Sequence, residues 1–254
     1  MINIEPIEAF SDNYIWLLTT NEGSLVVDPG ESNSLLKTLK ENDLDLKAIL
    51  ITHHHYDHTG GIEEILSERS IDVYGPNNDI NLINVRVSNA SKLKLLGIEF
   101  EVIEIPGHTL DHIAFFSENN GNPILFCGDT LFAGGCGRVF EGTFEQMYDS
   151  LSILKKLPLN TKVYSGHEYT ESNLKFAKSV EPLNQKIISR YNEVIELRKQ
   201  GLPSLPTTIE LELETNPFFR VDQSEVQKLI SEKFNTPRTN KDIFIAIRQW
   251  KDNF

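Results

Sequence analysis

The stretch Ile49-Leu50-Ile51-Thr52-His53-His54-His55-Tyr56-Asp57-His58-Thr59-Gly60-Gly61 decides how this chain is organised. An apolar, β-favouring run from Ala48 to Thr52 gives way to four histidines and an aspartate, then to two glycines and the helix-like Ile62-Glu63-Glu64-Ile65-Leu66. The pattern predicts a buried strand that ends in a polar loop feeding a helix. In an α/β sheet, ligands collect beyond the carboxyl ends of strands, so the loop lies where a site is expected.

Upstream, Tyr14-Ile-Trp-Leu-Leu-Thr19, a turn at Asn21-Glu22-Gly23 and Ser24-Leu-Val-Val-Asp28-Pro-Gly30 read as a hairpin of buried strands, closed by Asp28. Ser32 is placed to cap a helix through about Asn42, with Leu35, Leu36 and Leu39 at helical spacing. Downstream of Gly61, short β-rich segments follow at Ile71–Tyr74, Lys92–Leu95, Ile98–Ile105, His112–Ser117 and Ile124–Cys127, separated by turn residues rather than helices. They predict a largely antiparallel or mixed sheet. Thr143 and Gln146 form a capping-box pattern ahead of a helix from Phe144 to Leu157, stopped by Pro158, and the strand Lys162–Ser165 delivers Gly166-His167. Beyond about Thr170 the periodicity turns helical, at Glu171–Val180, Asn184–Gln200, Ser224–Lys233 and Thr239–Asn253. Two domains are therefore expected, residues 1–170 and a helical 171–254.

The 254 residues are 39% hydrophobic, ordinary for a chain that buries a core, and carry a formal charge of −13. That balance argues against nucleic acid or an anionic membrane as partner, while leaving room for a small anionic substrate in a locally basic pocket. The start, Met1-Ile-Asn-Ile-Glu-Pro6, has neither a basic n-region nor a long apolar h-region, and no stretch has the length of a membrane span. A soluble cytoplasmic protein is expected. Cys127 and Cys136 are too few to indicate an oxidising compartment and read as buried or bystander thiols.

His53, His55, Asp57 and His58 fall within six residues, and His108, Asp129 and His167 each follow a further apolar β-like run. Neutral imidazole and carboxylate suit zinc, iron or manganese. Seven such groups exceed the needs of one catalytic ion, so two ions are expected, with Asp129 as the bridge because a carboxylate has two oxygens. A lone histidine at a strand end is more often structural, but seven donors in this pattern are not explained that way. His54 faces away from its neighbours if the loop starts extended, and His112 opens an apolar strand; both are left outside the ligand set. Asp28 is a candidate partner orienting the histidine loop.

Thr52-His53-His-His55-Tyr-Asp57-His58, with Pro-Gly-His108-Thr, Gly-Asp129-Thr and Ser-Gly-His167-Glu in the same order, resembles the metallo-β-lactamase superfamily. Asp129-Thr-Leu-Phe-Ala-Gly-Gly-Cys-Gly-Arg138, Gly166-His167-Glu-Tyr169-Thr, Asn216-Pro-Phe-Phe-Arg220 and Ile247-Arg248-Gln-Trp-Lys251-Asp-Asn-Phe254 are similar to one of its families, glyoxalase II or hydroxyacylglutathione hydrolase. The resemblance covers nearly the whole chain. It implies an α/β, metallo-β-lactamase-like αββα sandwich of two mixed sheets with a small C-terminal all-helical domain that binds glutathione. It assigns one ion to His53, His55 and His108, a second to Asp57, His58 and His167, and Asp129 to both. Asp57 and Asp129 are then catalytic together with a metal-bridging hydroxide, zinc being the expected ion and iron or manganese the alternatives.

The implied activity is hydrolysis of S-(2-hydroxyacyl)glutathione thioesters, such as S-D-lactoylglutathione, to glutathione and a 2-hydroxy acid in methylglyoxal detoxification, by a monomer. Positions matching Arg138, Phe140, Tyr169, Arg248 and Lys251 would face glutathione. Phe140 stands where several relatives have Tyr and offers apolar contact only, Arg138 keeps the charge of a more usual Lys, and Asp111 replaces a common Gly. Taken alone, Arg248 and Lys251 would be a solvated helix face. The rivals are another thioesterase of the superfamily, a persulfide dioxygenase using a single iron, or a non-catalytic module binding glutathione conjugates. Cys136, set among glycines, has no histidine in a recognisable nucleophile motif.

Overall fold

The computed structural model describes residues 2–254; Met1, where the N-terminal reading begins, lies outside them. The chain divides into two compact units, one running to Glu104 and resuming over Asp111–Gly128, the other comprising Ile105–Leu110 and Asp129–Phe254.

The first unit opens with strands β1 (Asn3–Ala9), β2 (Asn13–Thr20) and β3 (Gly23–Val27), helix α1 (Asn33–Glu41) and strand β4 (Leu46–Leu50). A single helical turn α2 (Tyr56–Thr59), helix α3 (Ile62–Glu68) and strands β5 (Asp72–Gly75) and β6 (Val85–Arg86) follow. These strands form one mixed sheet in the order β1-β2-β3-β4-β5-β6, antiparallel to β3 and parallel from there on. The change comes where the connections become helical, since a parallel neighbour needs a crossover. Ile15, Leu17, Val26, Ile49 and Val73 of this sheet pack with Leu35 and Leu39 of α1 and with Ile62 and Ile65 of α3. The Asp28 N–H donates to Leu50 O at 2.9 Å and the Ile51 N–H to Tyr74 O at 2.8 Å. The carboxyl ends of β3, β4 and β5 are thereby level, and Asp28 and the histidine loop emerge at one edge.

Strands β7 (Lys92–Leu95), β8 (Ile98–Glu104), β9 (Ile113–Ser117) and β10 (Ile124–Gly128) complete the unit as antiparallel neighbours. The Ile113 N–H donates to Thr52 O at 2.9 Å, so the start of β9 is anchored to the head of the histidine loop. β8 alternates buried and exposed while β9 and β10 are buried throughout, which is why they read as continuous apolar runs.

One expectation is revised in this unit, and one strand had not been anticipated. Ser32 makes no capping bond; its hydroxyl donates to Glu64, and the Glu31 carboxylate instead accepts from the Asn33 and Ser34 N–H groups at 2.8 and 3.0 Å. Strand β1 left little trace in the sequence because it is an edge strand, buried only at Ile7 and Ala9 and interrupted by Pro6, whose missing N–H is tolerated there.

The second unit holds the short hairpin β11 (Leu131–Phe132) and β12 (Gly135–Cys136), helix α4 (Phe144–Leu154), strand β13 (Lys162–Ser165), helices α5 (Thr170–Val180) and α6 (Gln185–Lys199), and the two-residue strand β14 (Thr207–Thr208) paired with β13. Helices α7 (Ile209–Thr215), α8 (Ser224–Phe234) and α9 (Asn240–Asp252) end the chain. The capping box is present on both sides, with Thr143 Oγ1 accepting from the Gln146 N–H at 3.1 Å and Gln146 Oε1 accepting from the Thr143 N–H at 2.8 Å. Helix α7 was not legible in advance: Ile209-Glu-Leu-Glu-Leu-Glu alternates with the period of a strand, and Glu212, which breaks the helical reading, is fully buried. Among the described residues, no helix is long and apolar enough to cross a membrane.

Candidate metal centre

In the first unit the histidine loop carries its donors inward around Asp28. That residue adopts φ +53°, which Asp tolerates better than most side chains, and so turns its carboxylate back over the loop. Asp28 Oδ1 accepts from the Thr52 N–H at 2.8 Å, while Oδ2 accepts from Thr52 Oγ1 at 2.7 Å and lies 3.1 Å from His58 Nδ1. Asp28 therefore holds the His58 proton on Nδ1 and leaves the Nε2 lone pair for a ligand. Asp57 Oδ2 accepts from Asn13 Nδ2 at 2.9 Å and lies 3.6 Å from His58 Nε2. His53 Nε2 and His55 Nδ1 are 3.1 Å apart. Gly30 is the floor beneath them: a Cβ there would stand 1.8 Å from Asp57 O, so the turn after β3 admits only glycine.

His54 and His112 each contact another side chain near the loop. His54 Nδ1 lies 2.9 Å from Asp111 Oδ1, whose other oxygen accepts from Asn78 Nδ2 at 2.7 Å. The ring of His112 stacks on His53 at 4.5 Å and 14°. Asp111 thus ties the histidine loop to the segment before β6.

In the second unit Asp129 gathers the remaining donors. Its Oδ2 lies 3.5 Å from His108 Nε2 and 3.2 Å from His167 Nε2. His108 Nδ1 lies 2.7 Å from Arg138 O, which accepts its proton and again frees Nε2. Gly137 permits this approach, because a Cβ there would stand 1.9 Å from Asp129 O.

These donors fit a divalent ion. Tetrahedral nitrogen ligands at about 2.0 to 2.1 Å from zinc stand about 3.3 Å from one another. The donor separations within each unit, 3.1 to 3.6 Å, bracket that edge. The tautomers of His58 and His108 are set by acceptors on the far ring nitrogen, as metal-ligating histidines require.

Phe140, Tyr169, Arg138, Arg248 and Lys251 all lie in the second unit. The Tyr169 ring stacks on His167 at 4.7 Å and 7°, and the Phe140 ring, 61% exposed, meets His108 edge-on at 5.2 Å. Arg138 and Arg248 converge on one carboxylate, Asp252 Oδ1, at 3.4 and 3.0 Å. Arg248 is no solvated charge: it is 4% exposed and its Nη1 donates to Cys136 O at 2.8 Å. Lys251 Nζ donates to Ser172 O at 3.4 Å and sits over the rings of Phe176 and Phe254. Burial, and then the Arg248 guanidinium, bring its ammonium down to about 8.

The Cys136 thiol is buried and pushed up by that burial, against the pull of Arg248, so it is held as a thiol rather than a nucleophilic thiolate. Both cysteines are buried and neither is in a disulfide. Two residues with evident work here, Asn13 and Asp252, were not singled out in the sequence. Asn13 offers no motif, and Asp252 had only its place in the run from Ile247 to Phe254.

Comparison with known proteins gives the family of the chain. The model of the metallo-beta-lactamase superfamily matches residues 10–167, and that of the hydroxyacylglutathione hydrolase C-terminus matches residues 168–254. The curated hydroxyacylglutathione hydrolase of Pseudomonas savastanoi pv. phaseolicola is 48% identical over 100% of both chains. Among solved structures, ETHE1 from Myxococcus xanthus superposes with TM-score 0.65 at 27% identity, covering 99% of this chain and 98% of its own. TTHA1623, solved in a di-iron-bound form, superposes with TM-score 0.61 at 26% identity, covering 84% of this chain and 99% of its own. The fold is thus the metallo-β-lactamase αββα sandwich with a C-terminal helical region. Full-length identity to curated relatives and two family matches that together span residues 10–254 place the chain in the hydroxyacylglutathione hydrolase family of the metallo-β-lactamase superfamily.

Proposed function

We propose that the protein hydrolyses S-(2-hydroxyacyl)glutathione thioesters, S-D-lactoylglutathione among them, to glutathione and a 2-hydroxy acid, as a cytoplasmic monomer. The observation that carries this reading is that the family match continues through 168–254, the segment bearing Tyr169, Arg248 and Lys251. On this reading residues 1–170 carry the hydrolytic centre and 171–254 the larger part of the glutathione site.

His53, His55 and His108 would hold one ion, Asp57, His58 and His167 the other, and Asp129 both, zinc being the ion best suited to this donor set. When bound, two such ions supply an acidic water and a Lewis acid for the thioester carbonyl. Asp57, oriented by Asn13 Nδ2 at 2.9 Å, is the carboxylate available to take up a proton during attack. Asp28 and Arg138 O keep the protons of His58 and His108 on Nδ1. The leaving thiolate has a conjugate acid of pKa about 8.5, so its departure needs no general acid. Lys251 would meet a glutathione carboxylate, and the exposed face of Phe140 would pack on the apolar parts of the substrate.

All seven donors are retained, which favours this reading over a single-iron dioxygenase. The test joins elemental analysis with turnover. The protein as purified should hold two ions per chain and hydrolyse a glutathione thioester far faster than an uncharged thioester of the same acyl group. One ion per chain in active protein, or equal rates on both substrates, would refute it.

A further inference from the structure

The hairpin β11–β12 lies between Asp129 and Arg138, and besides its own strand pairing its main chain is bonded by side chains from the helical part of the second unit. Asn216 Nδ2 donates to Phe132 O at 3.3 Å and Gly135 O at 2.8 Å. Asn173 Nδ2 donates to Ala133 O at 3.2 Å, and Arg248 Nη1 to Cys136 O at 2.8 Å and Gly137 O at 3.4 Å. Glu212 Oε2 accepts from the Gly134 N–H at 2.8 Å and from Asn216 Nδ2 at 2.8 Å. Each peptide from 132 to 137 thus meets a side chain of α5, α7, α9 or the residue after α7.

Two of these side chains are set by a second layer. Glu212 is 0% exposed; its Oε1 accepts from Arg190 Nη2 at 2.7 Å and Thr207 Oγ1 at 2.6 Å, so its charge is paired and all its bonds are directed. Asn216 is likewise 0% exposed, with its Oδ1 occupied by the Phe218 N–H at 3.0 Å. At the far end of the hairpin the Gly137 N–H donates to Thr130 O at 3.2 Å, and Gly137 packs against Asp129 O. A shift of the hairpin would therefore move the Asp129 main chain and the Arg138 carbonyl that orients His108. A displacement on the order of 1 Å of such a group is costly for ligand geometry.

We propose that Glu212 and Asn216, backed by Arg190, are positioning residues for the metal centre and for Arg138: they fix the hairpin whose two ends carry Asp129 and the acceptor for His108. The metal part of this inference rests on the ligand assignment proposed above.

The test uses Asn216→Ala and the nearly isosteric Glu212→Gln, which would present an amide N–H to Gly134 N–H or to Arg190. Ile230→Ala, a cavity in the buried face of α8, is the control for lost stability alone. The parent and each variant, loaded with zinc, are challenged with a chelator at 25 °C, and zinc release and folded content by near-ultraviolet circular dichroism are followed together. Both hairpin variants should release zinc about tenfold faster than the parent while still folded, and lower kcat more than they raise KM. Ile230→Ala should lower the melting temperature and leave zinc release unchanged. If Asn216→Ala does not fold, Glu212→Gln decides. Release from the folded hairpin variants no faster than from Ile230→Ala would overturn the proposal and leave these bonds a purely stabilising role. Zinc release is read without substrate, so a parent protein inactive on thioesters would refute the proposed activity and not this inference.

Discussion

Raising the pH from 7 to 9 should weaken the grip of the protein on a glutathione thioester, because Lys251 loses its charge in that interval. Burial lowers its ammonium to about 8, well below the usual lysine value, since the charged form is the one that burial disfavours. With that value, about nine-tenths of the molecules carry the charge at pH 7 and about one-tenth at pH 9. A hydrogen bond to a charged group contributes about 1.5 to 3 kcal/mol, and partial exposure of Lys251 puts it near the low end, about tenfold in affinity. Weighting the two protonation states by their populations gives a KM that rises about fivefold between pH 7 and 9 with little change in kcat. The substrate ammonium titrates nearby, so the informative comparison is with Lys251→Arg, whose guanidinium stays charged across the range. Steady-state hydrolysis corrected for the uncatalysed rate should show a KM that climbs for the parent and stays level for Lys251→Arg. Parallel profiles for the two proteins would refute the reasoning, and Lys251 would then be a packing residue over Phe176 and Phe254.

Two further outcomes are expected. In Asp28→Asn the left-handed backbone is tolerated, but the new amide faces His58 Nδ1 and drives its proton to Nε2; metal affinity should fall about 10- to 100-fold in a chelator competition, with an unchanged circular dichroism spectrum. Thr143→Ala removes one half of the capping box on α4 and should cost about 1 kcal/mol, or about 2 to 4 °C in melting temperature by calorimetry, leaving KM as it was.

The parts of the fold that could be read in advance were those where one physical signal acted alone. Strands β9 and β10 announce themselves because both faces are buried, as does β4 beyond Lys47, and α4 because Thr143 and Gln146 satisfy its first N–H groups. Ser32 misled because a serine before an apolar helix can bond sideways; here it serves Glu64 while Glu31 takes the cap. α7 was hidden because a buried, ion-paired Glu212 looks like a surface residue to any rule based on periodicity. The proposed metal donors were picked out as residue types at strand ends. Their tuning was not, since Asp28, Asn13 and the carbonyl of Arg138 act through distances between residues far apart in sequence. Arg248 shows the same limit from the other side: its charge suggested solvent, whereas Cys136 O and Asp252 keep it inside.

The glycine floor under the histidine loop has a consequence for how this site can change through descent. A Cβ at Gly30 would overlap Asp57 O at 1.8 Å, and one at Gly60 would stand 2.6 Å from Gly30 O. The two turns are thus pressed backbone to backbone, and a side chain at either glycine needs the facing turn to move. Single substitutions at either glycine are therefore expected to be strongly destabilising. New chemistry on this scaffold is accordingly expected to arise by exchanging side chains on an unmoving loop, or by remodelling the helical segment, rather than by gradual drift of the turn itself.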